Sequence, residues 1–181
     1  WIHSETIPYH NLDEFFALSD SSETDWEHTV SWIDCMNGAN AKGLFARGNL
    51  SSEHTQVEPK IKDKTFPITP PISLVNKLSL PIFNFAYFHG NSLKKQPQKV
   101  HYEPFFYPLD AMHEWNKMYG PKGFYQYQSV VPKEIGKEVT QEMLNAIKKS
   151  GEGSFLAVLK TFGDRESGGM LSFPKHGVTL A

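Results

Sequence analysis

A chain of 181 residues fits one domain or a large piece of one. Its charge is nearly balanced, with a formal net charge of −2, which provides no dominant basic field for nucleic-acid binding. No apolar run approaches the length of a membrane span. The single cysteine excludes an internal disulfide framework and favours a reducing compartment, so we expect a cytoplasmic protein that could associate peripherally with a membrane.

Both ends of the chain indicate that it is a piece of a longer polypeptide. The chain begins at Trp1 rather than Met, and residues 177–181 have the pattern of an apolar strand that stops partway. We therefore expect further polypeptide before residue 1 and after residue 181.

The first half of the chain predicts two helices around a β-hairpin. Asn11 has the character of a helix N-cap, and Glu14 follows at the spacing of a capping box. The predicted elements are, in chain order, a helix after Asn11, strands over 28–35 and 44–49, an exposed polar loop over 51–71 and a helix over 72–88 kinked at Pro81.

The second half alternates strands and helices. The predicted elements are a basic loop over 91–99, a strand over 101–107, a helix over 110–119, a strand over 123–131, a helix over 137–149, a strand over 155–162 and short strands over 171–173 and 178–181. No glycine-rich phosphate loop follows a strand. The pattern therefore predicts an α+β fold, with a large antiparallel or mixed sheet and helices packed on one face, rather than a dinucleotide-binding fold.

Several common active-site chemistries lack their residue pattern. The eight histidines form no His-x-x-x-His pair and there is no Cys-x-x-Cys pair, so metal-ligand spacing is absent. No Gly-x-Ser-x-Gly elbow indicates a hydrolase. Cys35, at the end of an apolar strand, is expected to be a buried inert thiol. Asp34 is expected either to cap the strand end or to pair with Arg47 across the hairpin.

Polar side chains among aromatic ones mark the most informative stretch, residues 105–132. Gln126 and Gln128 lie two apart on a predicted strand, so their amides would share one face and could meet sugar hydroxyls. Satisfied amides within the sheet are an equal alternative. Nearby aromatic residues are expected to be mostly core, although one or two could line a pocket. Lys160 shares a strand face with Val158 and is either a ligand-binding ammonium or a solvent-facing lysine.

Five segments together resemble a known flavoprotein family. They are TVSWIDC (29–35), LFARGN (44–49), FFYPLDAMHEWNKMYGPKGFYQYQSVVP (105–132), FLAVLKTFG (155–163) and LSFPKHGVTLA (171–181). In this order they resemble the substrate-binding cap domain of the decaprenylphosphoryl-β-D-ribose 2-oxidase-like enzymes, within the vanillyl-alcohol-oxidase-type flavoproteins. The resemblance covers most of the chain and weakens in the two polar loops.

The resemblance implies that residues 1–181 are a cap-domain fragment of an FAD-dependent oxidoreductase. It places the FAD-binding domain, and with it the catalytic lysine of the relatives, outside this chain, so the isolated chain would be inactive. The substrate-facing positions that it implies are Phe106, Lys117, Gln126, Gln128, Val158, Lys160, Thr179 and Ala181. Some relatives carry Asn, Cys and Arg where this chain has Thr179, Ala181 and Lys117, so the choice of substrate is open.

The implied reaction is oxidation of a secondary alcohol of a sugar, or of a polyprenyl-phosphoryl sugar, by hydride transfer to flavin. Such an activity would belong to cell-wall biosynthesis. Two alternatives remain at this point: the cap of a sugar-lactone or alditol oxidase, and a stand-alone carbohydrate-binding module.

Overall fold

The structure is a computed structural model that describes residues 1–52, 64–172 and 174–181. Much of the predicted loop over 51–71 and the end of the predicted strand over 171–173 lie outside the described residues. The described chain forms one large sheet with helices, which confirms the predicted α+β class.

Seven strands form an antiparallel sheet in the order β5-β1-β3-β2-β8-β9-β7, and β4 pairs with β6 in a separate two-residue parallel ladder. The strands are β1 Ile2–Tyr9, β2 His28–Ile33, β3 Gly43–Leu50, β4 Lys64–Thr65, β5 Gln98–Val100, β6 Met112–His113, β7 Ser129–Val131, β8 Val158–Phe162 and β9 Gly177–Leu180.

Four α-helices and three short 3-10 helices complete the described fold. The α-helices are α1 Leu12–Ser22, α2 Ser79–Ser92, α3 Tyr102–Phe106 and α4 Gly136–Ser150; the 3-10 helices are Cys35–Asn40, Trp115–Tyr119 and Lys133–Ile135.

Helices α1 and α4 cover one face of the sheet, here called the core face. Phe15 of α1 contacts Phe45 of β3, and Leu144 of α4 joins Leu159 and Leu180 in the same fully buried cluster. Burial of each such side chain contributes about 1.5–3 kcal/mol relative to leaving it in water. This packing fixes which residues of each strand point away from the core.

The predicted start of α1 after Asn11 is confirmed, and the predicted helix over 137–149 is confirmed to within one residue at each end, as α4. The Asn11 side chain accepts a hydrogen bond from the Glu14 backbone N–H at 2.9 Å, and the Glu14 carboxylate accepts from the His10 N–H at 2.7 Å. At the other end of the chain, α4 stops at Gly151, whose positive φ of 70° is the left-handed conformation that glycine adopts without strain. Local capping therefore marks where α1 begins and where α4 ends.

The opposite face of the sheet, here called the open face, is contacted by α2 at one end and by α3 at the other. The Tyr87 ring of α2 lies 4.9 Å from the Trp32 ring of β2. The Phe106 ring of α3 lies 4.9 Å from the His28 ring, at the other end of β2. Successive strand residues alternate between faces, so Val30, between these two contacts, also points to the open face.

Several predicted elements differ from the structure. The predicted strand over 101–107 is wrong, because Tyr102–Phe106 is a helix. The predicted helix over 110–119 is also wrong: this stretch contains the two-residue strand β6 and a 3-10 helix. The predicted helix over 72–88 begins only at Ser79, so Pro81 lies in its first turn and causes no kink.

Strand boundaries also shift. The predicted strand over 123–131 is reduced to Ser129–Val131, and no strand covers Leu171 or Ser172. The predicted loop over 91–99 contains the end of α2 and most of β5. Strand β1, which the sequence pattern did not predict, lies between β5 and β3 in the sheet.

Candidate functional site

Three C-terminal strands bring several predicted site residues onto the open face in two rows. In the first row, Val130 of β7 pairs with Thr179 of β9, and Thr179 pairs with Lys160 of β8. Because core-face residues such as Leu159 and Leu180 alternate with them, Lys160 and Thr179 point to the open face. The row places the half-buried Lys160 next to the buried Thr179 in the strand register.

The second row is apolar. Val158 and Ala181 exchange backbone hydrogen bonds of 2.9 and 3.0 Å, and Trp32 is the register partner of Val158 on β2. The Trp32 indole N–H donates to the Phe155 carbonyl at 2.8 Å, which orients the ring. Trp32 was not predicted from the sequence as a site residue; its alternation with Ser31 and Ile33 on β2 was the available signal.

Lys160 is half-buried at one end of the polar row, next to Thr179. Among the residues that the structure describes, none forms a hydrogen bond or an ion pair with the Lys160 ammonium. An ammonium has three donors and no acceptor, so a half-buried one without a protein partner is suited to bind an oxygen-rich ligand.

Gln128 reaches the polar row, whereas Gln126 does not. The Gln128 Nε2 lies 3.4 Å from Thr179 Oγ1, a long hydrogen bond to a side chain that is only 1% exposed. Both glutamines are exposed in the stretch before β7. The prediction that both amides share one strand face is wrong, because β7 begins at Ser129 and includes neither glutamine.

Phe106 lies at one end of the open face. Its ring packs edge-on against His28 and is 39% exposed, so most of its surface is covered. Other aromatic side chains of the 105–132 stretch are far from buried: Tyr125 and Tyr127 are 103% and 73% exposed. The prediction that these aromatics are mostly core is wrong for both tyrosines.

Lys117 lies in a different place from Lys160. It sits in the 3-10 helix Trp115–Tyr119 and pairs with Glu114 at 2.7 Å, as the i, i+3 spacing predicts. Its neighbours Gly120, Gly123 and Phe124 line a shallow cavity of about 430 Å³ together with it. No residue of the two open-face rows lines that cavity.

A series of ring contacts links this cavity to the open face. The Phe124 ring stacks on Tyr119 at 4.4 Å, and Tyr119 stacks on Phe155 at 5.9 Å. Phe155 in turn contacts Phe83 of α2 at 5.3 Å. Phe83 stacks on Tyr87, the ring that covers Trp32. The apolar wall is continuous from the Lys117 cavity to the second row.

Asp34 and Cys35 have structural roles. The Asp34 carboxylate accepts hydrogen bonds from the Met36 backbone N–H and from the Asn37 and Asn84 side chains, so the predicted strand-end cap is confirmed. The alternative pairing with Arg47 is wrong, because Arg47 binds Glu5 at 2.6 Å. Cys35 is 1% exposed, but it lies in a 3-10 helix rather than in the strand.

The described residues contain neither a cluster of metal-ligating side chains nor a membrane-spanning helix. Within residues 1–52, 64–172 and 174–181, no three His, Cys, Asp or Glu side chains converge to form a metal site. In the same ranges, no helix combines the length and the apolar character that crossing a bilayer requires.

Comparison with known proteins supports the resemblance. No family model matches the chain. The chain is 33% identical over 180 residues to the decaprenylphosphoryl-β-D-ribose oxidase of Mycolicibacterium smegmatis; the match covers 92% of this chain and 38% of that enzyme. The chain thus spans well under half the length of its relative. The resemblance predicted from the sequence is confirmed: over 92% of its length, this chain is similar to the decaprenylphosphoryl-β-D-ribose oxidase of that organism.

Proposed function

We propose that this chain is the substrate-binding part of an FAD-dependent oxidoreductase that oxidises a secondary hydroxyl of a polyprenyl-phosphoryl pentose. The observation that carries the proposal is the open-face row in which the unpaired Lys160 ammonium lies beside Thr179. The name of the Mycolicibacterium relative, an oxidase of a decaprenylphosphoryl ribose, supports the same substrate class.

The polar row matches the hydrogen-bonding needs of a sugar. A sugar hydroxyl both donates and accepts, so it can accept from the Lys160 ammonium and donate to an amide oxygen. Gln128 uses its Nε2 on Thr179, which leaves its amide oxygen for such a donor. The adjacent apolar row of Trp32 and Val158 offers a surface on which the sugar ring or the first prenyl unit can pack.

The residues of this chain do not fit the cofactor itself. In the described ranges, no helix that follows a strand opens with a glycine-rich turn that could hold a pyrophosphate. We propose that FAD is held by residues of the polypeptide outside this chain, as the resemblance implies. The flavin, when bound, would accept the hydride from the carbinol carbon.

The contribution of this chain is therefore orientation. Lys160 and Gln128 hold the hydroxyls, so that the carbinol C–H keeps one direction, and the apolar row excludes water from one side of the sugar. Holding a reactant in one geometry removes part of the entropic barrier of the reaction.

Replacement of Lys160 by alanine in the full-length polypeptide tests this role. A lost charged hydrogen bond to substrate costs about 1.5–3 kcal/mol, so we expect kcat/KM for a polyprenyl-phosphoryl pentose to fall about 10- to 150-fold. Flavin content, measured from the visible absorbance of the purified protein, should not change, because Lys160 is not a flavin ligand in this proposal.

Lys149→Ala is the matched control. Lys149 is an exposed lysine at the end of α4, on the opposite side of the sheet, and its loss should leave kcat/KM unchanged. Equal activity of Lys160→Ala and wild type would contradict the proposed role. Preference of the wild type for a sugar lactone or an alditol over the polyprenyl-linked sugar would contradict the substrate class.

A further inference from the structure

Helix α2 carries an outward apolar stripe that nothing in the described structure covers. Only Leu80, Asn84 and Phe88 of α2 are buried against the rest of the chain. On the opposite side of the helix, Leu78, Ile82 and Phe85 are 82%, 73% and 62% exposed, and Leu93 just beyond the helix is 85% exposed. The spacing of four, three and eight residues aligns these side chains along one line of the helix surface.

The helix also lacks the charged residues that normally face water. Residues 79–92 read SLPIFNFAYFHGNS and contain no Asp, Glu, Lys or Arg. A surface helix of a globular protein usually places charged residues opposite its buried side, and a helix that is apolar all round is normally covered on all sides. The stripe therefore has the composition of a contact surface rather than of a water-exposed one.

Positive charge surrounds this stripe in a chain that is acidic overall. Residues 64–102 contain five lysines (Lys64, Lys77, Lys94, Lys95 and Lys99) and no Asp or Glu, whereas the whole chain has a net charge of −2. Lys77 precedes α2, and Lys94 and Lys95 follow it. All three side chains are exposed, and within the described ranges none of them forms an ion pair.

A further lysine lies alongside the stripe. The Lys42 ammonium is 4.5 Å from the centre of the Phe88 ring and 5.6 Å from that of Phe85. Cations therefore stand at both ends of α2 and beside it. Leu, Ile and Phe on a helix face bordered by lysines match the chemistry of a helix that lies in a bilayer interface with anionic headgroups.

We propose that α2 docks this protein on an anionic membrane surface. Leu78, Ile82, Phe85 and Leu93 would enter the boundary between headgroups and acyl chains, and Lys77, Lys94 and Lys95 would contact the negative headgroups. The inner side of the same helix covers Trp32 through Tyr87, so the docked helix would lie between the bilayer and the open face. This link to a lipid substrate rests on the proposed function; the surface itself does not.

Positive charge distinguishes the bilayer from other occupants of the stripe. An apolar contact between two copies of this chain would bring the lysine clusters of both copies together, and like charges at a contact oppose association. An anionic bilayer neutralises the same lysines while it accepts the apolar side chains.

Vesicle co-sedimentation of the full-length polypeptide tests the proposal. We expect the protein to sediment with phosphatidylcholine vesicles that contain phosphatidylglycerol, and weakly or not at all with phosphatidylcholine alone. Leu78→Ser with Ile82→Ser should lower the partition coefficient about tenfold or more, because two exposed apolar side chains leave the interface. Lys94→Glu with Lys95→Glu should lower it by a similar factor through charge.

Two double variants serve as matched controls. Met170→Ser with Leu171→Ser removes two apolar side chains that are 102% and 93% exposed, but lie outside α2. Lys148→Glu with Lys149→Glu reverses a tandem lysine pair at the end of α4. Both controls should bind anionic vesicles as the wild type does. Equal losses in the control and the α2 variants would overturn the proposal.

If something other than a bilayer covers the apolar stripe of α2, the experiments should give different results. Absence of vesicle binding by the wild type overturns the proposal. So does a change from dimer to monomer in the Leu78→Ser, Ile82→Ser variant with unchanged vesicle binding, since the stripe would then be a contact between copies. Strong hydrogen-exchange protection of exposed α2 amides in the vesicle-free full-length protein would also overturn it, because the rest of the polypeptide would cover the helix.

Failure of this inference is distinguishable from failure of the proposed function. Turnover of a short-chain, water-soluble polyprenyl-phosphoryl pentose needs no bilayer. If α2 docks on membranes, the Leu78→Ser, Ile82→Ser variant should keep turnover of the soluble substrate while it loses vesicle binding. Vesicle binding without any turnover of the soluble substrate would contradict the proposed function and leave the docking surface intact.

Discussion

Asp34 connects the strand end of β2 to helix α2. Its carboxylate is 5% exposed and accepts from Asn84 Nδ2 at 2.7 Å, and Asn84 is fully buried. It also caps the turn through the Met36 N–H. A single carboxylate therefore helps to position the helix that covers Trp32, although the sequence predicted only a strand-end cap or a pairing with Arg47.

Asp34→Ala should destabilise the protein by about 2–4 kcal/mol. The change removes a cap and leaves a buried amide without its acceptor, and each of these losses costs about 1–2 kcal/mol or more. Urea unfolding followed by circular dichroism measures the difference. Asp13→Ala, which removes only an exposed ion pair with Lys137, should change the free energy of unfolding by less than about 0.5 kcal/mol. A loss of similar size in both variants would contradict the role of Asp34.

The Cys35 thiol should react only slowly with alkylating agents in the native protein. Burial raises the pKa of the Cys35 thiol, against a weaker lowering by the hydrogen bond that the Ser154 backbone N–H donates to Cys35 Sγ. The thiolate is the reactive form, so native alkylation should remain slow even at pH 8 and become fast on denaturation. Because the folded pKa is raised, the neutral thiol stabilises the fold fully below the unfolded value of about 8.5, and this stabilisation is lost as pH rises above that value.

Alkylation with iodoacetamide, followed by mass spectrometry with and without urea, measures this reactivity. Rapid native labelling of Cys35 at pH 8 would show that the thiol is accessible and would contradict the buried placement.

At the scale of elements, strand β7 depends on one glycine. Gly177 begins β9 with a φ of 150°, and a Cβ placed there would collide with the Val131 carbonyl oxygen and come within 3.2 Å of Val130 Cγ1. The β7–β9 pairing holds Ser129 opposite Leu180, and Gln128 directly precedes this pair. A side chain at residue 177 would therefore displace the strand that aims Gln128 at Thr179.

Gly177→Ala should destabilise the protein by about 2–4 kcal/mol, since a backbone contact must open and the conformation is strained for alanine. It should also weaken substrate binding in the full-length polypeptide by displacing Gln128. Gly168→Ala is the control, because no atom lies within 4 Å of its added Cβ, and its effect on unfolding should be close to zero. Thermal unfolding measures the difference in stability between the two variants. Equal melting temperatures would contradict the steric constraint at residue 177.

The elements that sequence reasoning predicted correctly are those with strong local signals. The capping box at Asn11 and the apolar face of α4 ended by Gly151 are local signals, and both helices form where predicted. Residues 101–107 are rich in aromatics and predicted a strand, but Pro104 cannot donate to a sheet ladder and suits the first turn of α3. Pro81 occupies the same kind of position in α2. Both prolines were signals of helix starts.

The candidate site could be predicted only in part. Val158 and Lys160 share a face because strand alternation is a local property, and this prediction holds. That Thr179 lies between Lys160 and Val130 depends on the register of three strands, which turns and packing fix and local sequence does not. Gln126 lies outside the strand for the complementary reason, because β7 does not extend as far as the aromatic pattern suggested.

At the scale of the whole molecule, one sheet separates the buried core from the proposed substrate-binding face. The core face holds the buried cluster with α1 and α4, whereas the open face carries the polar row, the apolar row and helix α2. Substitutions on the open face, such as Lys160→Ala, should therefore impair turnover with little loss of stability. The chain matches 38% of its relative, so turnover belongs to the full-length polypeptide in our proposal.

The most direct test of the central claim is an anaerobic titration of the purified full-length polypeptide with a polyprenyl-phosphoryl pentose, monitored by visible absorbance. We predict flavin bands that bleach in the wild type, and bleach much more slowly in Lys160→Ala at equal flavin content. A full-length protein that contains no flavin and binds none when FAD is added would contradict the account. Bleaching at the same rate in both proteins would contradict the proposed role of Lys160 in holding the substrate.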